Sequence, residues 1–180
     1  VPNIEAVSLP EVLLDTMQSS QAATFDGFLA DYGAELRSKA VALDRKLRNF
    51  AMLPGPFASL LCDGCVERGR DISEGGRYNN FGVHGTGIST AVDSLAAIRR
   101  VVFEEKSYTL KQFLKVLNRN FADAPALLAE VRNRVPKLGS GEPGPEKLAE
   151  RVLALWAAAW EGLRNVRGGL WRPGTGSAMF

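Results

Sequence analysis

Apolar residues recur at every third or fourth position along most of the chain, the period of a helix with one buried face. Pro10 opens the first helix, which runs through Val12, Leu13 and Leu14 to about Met17. Proline suits a first turn because the N–H it lacks would have no intrahelical partner there. After the polar residues Gln18 to Gln21, a longer helix begins at Thr24. Phe25, Phe28, Leu29, Tyr32, Leu36, Ala40, Leu43, Leu47 and Phe50 form its single apolar stripe. Gly27 and Gly33 weaken its first half, and Pro54 stops it by disfavouring helical geometry at Leu53. The pattern predicts a third helix over residues 57–68, ended by Gly69, and a fourth over 89–103. A fifth opens with a capping box, Thr109 standing three residues before Gln112. A sixth spans residues 125–133. A seventh, residues 146–163, turns Val152, Leu155, Trp156 and Ala159 inward.

One stretch breaks the helical period. Residues 73–87 hold Gly75, Gly76, Gly82, Gly85 and Gly87, and residues 77–83 within them read as a short strand. The tail, residues 168–180, reads as a turn followed by an extended segment. The expected class is α/β, rich in helix with one or two strands. A lone strand leaves its backbone N–H and C=O groups unpaired. An incomplete unit is therefore expected, with the strand pairing to chain from elsewhere, and the apolar Ala178-Met179-Phe180 at the end adds to that expectation.

Composition narrows the function classes. Hydrophobic residues make up 46% and charged residues 23% of 180, as in a globular domain or a piece of a larger one. Twenty-two Lys and Arg against twenty Asp and Glu leave a charge of only +2, no electrostatic footprint for nucleic acid. Residues 1–6 carry no signal-peptide pattern, and no apolar run approaches the roughly 20 residues that span a bilayer. The expected compartment is cytoplasmic, with no membrane partner. Two cysteines and one histidine are too few for a disulfide scaffold or a zinc site, so no metal is expected. The single histidine also argues against His-based acid–base machinery.

Residues 56–106 carry a distinctive series of strings. Pro56-Phe57 and Leu60-Leu61 lead into Cys65-Val66-Glu67-Arg68-Gly69-Arg70-Asp71-Ile72, then Gly75-Gly76-Arg77-Tyr78-Asn79. Asp93-Ser94-Leu95-Ala96-Ala97-Ile98 and Val102-Phe103-Glu104-Glu105-Lys106 follow, and Val135-Pro136-Lys137-Leu138-Gly139 and Gly168-Gly169-Leu170-Trp171-Arg172-Pro173-Gly174-Thr175-Gly176-Ser177 extend the series. The series resembles the large domain of glycyl-radical enzymes, the pyruvate formate-lyase-like family of lyases, dehydratases and decarboxylases. The resemblance implies that residues 1–180 are a helix-rich segment, with few strands, of a ten-stranded α/β barrel, from its second half-barrel. The Arg-Val-x-Gly-Tyr-type string of the family's glycyl-radical domain does not occur in the sequence.

Gly64-Cys65-Val66-Glu67 matches by letters the family's thiyl motif, in which the cysteine abstracts hydrogen and the glutamate acts as acid or base. Its flanks instead resemble a later helix, and Cys65 stands at helical spacing from Leu61 and Arg68. Cys65 and Glu67 are therefore read as structural, with the catalytic role as the alternative. Cys62 and Cys65 form a C-x-x-C without a second pair and read as two small buried thiols. His84 reads as a structural or solvated loop residue. Gly82, Gly85 and Gly87 lack the dinucleotide fingerprint.

Gly174-Thr175-Gly176-Ser177 is the candidate substrate-proximal segment, since glycine permits close approach and hydroxyls bond polar groups. A turn that merely needs its glycines is the competing reading.

The resemblance implies a glycyl-radical lyase or dehydratase as the parent protein, cleaving C–C, C–O or C–N bonds of a small polar substrate. This chain would supply barrel wall and outer helices, and would be inactive alone and bind no cofactor itself. The implied partners are the remainder of the parent, a radical-SAM activating enzyme that installs the glycyl radical, and a second parent subunit in a homodimer. The alternative is a non-catalytic helical scaffold or interaction module derived from that domain.

Overall fold

A computed structural model describes residues 3–176 and shows a small parallel sheet with helices packed on one face. Strand β1 (Asn3–Ser8) runs into α1 (Leu9–Ser19) and the long α2 (Phe25–Lys46). Two short helices, α3 (Pro56–Leu60) and α4 (Cys65–Arg68), lead to β2 (Phe81–Thr86). Then come α5 (Ile88–Ile98), α6 (Leu110–Asn118), α7 (Pro125–Asn133), α8 (Pro143–Ala158) and β3 (Trp171–Thr175). The strand order is β1-β2-β3 and both pairings are parallel, so helices make each crossover.

Local chemistry starts the helices where the sequence predicts. Ser8 and Thr24 accept hydrogen bonds from the N–H groups of Glu11 and Gly27. The capping box at Thr109 and Gln112 is reciprocal. Past Ile98 the helix widens into a π-helix, Arg99–Glu104. Its wider turn brings residues five apart together, and Arg99–Glu104 and Arg100–Glu105 form ion pairs at that spacing, both at 2.7 Å.

Three expectations change. The expected strand over 77–83 is found at Phe81–Thr86, because Asn79 and Asn80 are held in loop contacts with residues 165–170. It is not alone. Its partners β1 and β3 both come from within the chain. The expected third helix over 57–68 is two short helices instead: α3 ends at Leu60, and a turn through residues 61–64 leads into α4 at Gly64, whose φ of 81° lies outside the helical region. Cys65 is therefore the first residue of a four-residue helix and not a mid-helix position.

The core fills the space between sheet and helices. Leu9, Val12, Phe28, Leu36, Val83, Val92 and Leu95 are buried, as are Val152, Trp156 and Ala159 on the face expected of α8. Leu155 is half-buried.

Candidate functional site: the open face of the sheet

Strand residues alternate between the two faces of a sheet, and the helices cover only one of them. Phe81, Val83 and Trp171 point into the core: Phe81 and Trp171 pack edge to face, and the Trp171 indole donates to the buried Asp44 carboxylate at 2.9 Å. A Cβ on Gly85 would sit 3.0 Å from the Trp156 indole nitrogen, so α8 lies against the backbone there. His84, Thr86 and Arg172 therefore belong to the opposite, open face.

A knot of backbone contacts fixes the register. Phe81 N–H donates to the Leu170 carbonyl at 3.0 Å, and Leu170 N–H donates to Asn80 Oδ1 at 2.9 Å. The buried Asn165 side chain donates to the Asn79 carbonyl at 2.6 Å. Gly169 lets the two segments meet, since a Cβ there would overlap the Asn79 carbonyl. His84 consequently stands opposite Gly174, and Gly82 opposite Arg172.

Glycine shapes the open face around His84. Cβ atoms on Gly174 and Gly176 would both meet the imidazole, the latter 3.1 Å from Nδ1. The half-buried His84 thus lies over the expected substrate-proximal segment. Thr175 is exposed on β3, and Ser177 lies outside the described residues. Arg172 is exposed and forms no ion pair among the described residues. Thr86 donates its hydroxyl to the Val7 carbonyl at 3.4 Å. The strip therefore offers an imidazole and a free guanidinium beside accessible backbone, donors suited to the oxygens of a small polar or anionic molecule.

The second expected site does not converge in this way. Cys65 is buried at the start of α4, whereas Glu67 is exposed. Residues two apart on a helix do not face each other. Cys62 is half-buried, and no group of metal-ligating side chains occurs among the described residues.

Beside α3 and α4 the structure shows a residue that sequence reasoning did not single out. The Asp71 carboxylate accepts from the N–H groups of Ser73 and Gly55 and from the Ser59 hydroxyl. Those bonds, the Ser73 N–H foremost, hold it well below the usual carboxylate range. The signal was the Asp-Ile-Ser spacing of a side chain that turns back onto N–H two residues on. The His84–Gly174 juxtaposition had no local signal.

Comparison with known proteins agrees with this architecture. A match to the family described as pyruvate formate lyase-like spans residues 12–179. The trans-4-hydroxy-L-proline dehydratase of Clostridioides difficile is 35% identical over 121 residues, 67% of this chain and 15% of that protein. The (2S)-3-sulfopropanediol dehydratase of Klebsiella oxytoca is 30% identical over 123 residues, again 67% and 15%. Among solved structures, a glycyl radical enzyme from Archaeoglobus fulgidus superposes with a TM-score of 0.82 at 22% identity, covering 94% of this chain and 24% of that one. This chain thus spans about 15% of the length of those two dehydratases.

Proposed function

The chain belongs to the pyruvate formate lyase-like family, and we propose that it forms part of the cavity wall of a glycyl-radical lyase or dehydratase. The observation that carries this reading is the two-sided sheet: one face is sealed by helices, while the other presents His84 over Gly174 and Gly176, with Arg172 opposite Gly82. In such an enzyme a stored glycyl radical would supply the radical chemistry, with a cysteine thiyl elsewhere in the parent abstracting hydrogen from a small polar substrate. No Arg-Val-x-Gly-Tyr-type string occurs in this sequence, so none of its glycines is assigned to that role.

The chain's own residues act on the substrate's surroundings. The helix layer excludes water from one side of the wall. Arg172 binds substrate oxygens, and His84 donates or accepts a hydrogen bond beside the Gly174–Gly176 backbone. Buried Cys65 and exposed Glu67 are structural. The remainder of the parent enzyme, a radical-SAM activating enzyme and a second parent subunit are the partners this reading requires. Supporting the first, Leu53, Phe57, Leu60, Leu61, Val66 and Tyr78 lie on α3, α4 and the loops flanking them, and each is at least 63% exposed, the kind of exposed apolar surface that suits an interaction face.

The test is anaerobic activation of a parent protein that contains this segment. Cys65→Ser should leave turnover near normal, whereas Arg172→Ala should raise KM with kcat less affected. Normal radical yield with turnover abolished in Cys65→Ser would refute the structural assignment.

One observation favours a second reading, a non-catalytic helical module: all three strands pair within the chain over a continuous core. Its test is the isolated chain, which would then be monomeric by size-exclusion chromatography.

A further inference from the structure

We propose that the cavity bounded by α1, α5, α6 and α7 binds a small aromatic carboxylate. It lies within the helix layer, on the other side of the sheet from His84 and Arg172, and is independent of the function proposed above. Its volume of about 680 Å³ falls within the range of roughly 300–1,000 Å³ typical of small-molecule sites. Leu13, Met17, Ala97, Ile98, Phe113 and Phe121 make its wall apolar.

Two features specify an aromatic guest. Phe113 and Phe121 meet edge to face with centroids 6.4 Å apart, an arrangement that a further ring extends. Phe121 also holds a left-handed φ of 58°, a conformation that bulky residues avoid and that clusters at ligand clamps. Hydrogen bonds on both sides fix it there: its N–H donates to the Val116 carbonyl at 3.0 Å, and its carbonyl accepts from Ala124 N–H at 2.9 Å.

Charge at the rim specifies the guest's polar end. The Lys137 ammonium already donates to the Val131 carbonyl, and the Asp93 carboxylate accepts from Leu138 N–H at 2.8 Å. Arg132 lines the same cavity, is exposed, and forms no ion pair among the described residues. A guanidinium matches a carboxylate through two parallel N–H donors.

Calorimetric titration of the full chain with 2-naphthoate and with neutral 2-naphthylmethanol tests the site. Saturable binding of one 2-naphthoate per chain is expected. Arg132→Ala should weaken 2-naphthoate roughly tenfold or more and leave 2-naphthylmethanol unchanged. Leu14→Trp, at the partly exposed mouth, should block both probes, whereas Arg70→Ala, exposed after α4 and away from the cavity lining, should change neither. Thermal melts check that each variant folds. Absence of saturable binding, undiminished binding in Leu14→Trp, or equal weakening of both probes by Arg132→Ala would overturn the assignment. So would sensitivity to Arg70→Ala. A wild-type chain without a cooperative melt would overturn it as well, because four helices must pack to form the walls.

Discussion

The Trp156 indole Nε1 donates to the main-chain carbonyl of Gly174 at 3.0 Å, so α8 holds the strand that follows it in sequence. The same ring fills the space that a side chain on Gly85 would need. Trp156 thus contributes both packing and a polar contact. Trp156→Phe should cost about 1–3 kcal/mol, chiefly by leaving a carbonyl unsatisfied. Trp156→Ala should cost about 3–5 kcal/mol. Urea unfolding measures both, and a loss below ~1 kcal/mol for the alanine variant would place the indole outside the core.

Gly169 and Gly76 make a matched pair. A Cβ on Gly169 would collide with the Asn79 carbonyl, whereas one on Gly76 would meet nothing within 4 Å. Gly169→Ala should therefore lower the thermal midpoint markedly by pushing apart the segments that fix the β2–β3 register. Gly76→Ala should leave it nearly unchanged. Similar midpoints for the two variants would contradict that role for Gly169.

The depressed Asp71 carboxyl makes stability depend on pH with a definite sign. Its contribution is complete above the ordinary aspartate value of about 4 and declines as pH falls toward its lower folded value. Asp71→Asn should therefore be less stable than the wild type at pH 7, with the difference narrowing through pH 4 and below. Urea midpoints at pH 7, 4 and 3 measure this. A difference that stays constant with pH would assign the effect to shape and not to charge.

The helices were legible because their period is local: the stripe of α2 and the capping box of α6 need only nearby residues to be seen. The break over residues 61–64 was not, because the apolar spacing continues across the turn and its left-handed Gly64, where a Cβ would stand 3.2 Å from that of Arg77. The sheet was the least legible part. Ala6 pairs with His84, and His84 with Gly174, across separations that no local pattern reports. Residues 174–177 were expected near substrate from their glycines and hydroxyls, and the residue those glycines accommodate, His84, was read as a loop residue. The structure places it on the central strand.

If this chain is a wall segment, the apolar face of α3 and α4 belongs against the rest of a barrel. Sedimentation equilibrium of the isolated chain, beside the double variant Leu60→Ser, Leu61→Ser, tests it most directly. The side chains of Leu53, Phe57 and Leu61 are at least 77% exposed. The wild-type chain should therefore self-associate, and the double variant should shift toward monomer while keeping its thermal midpoint. A wild-type chain that stays strictly monomeric across the same concentrations, indistinguishable from the variant, would contradict the claim and favour a self-sufficient module.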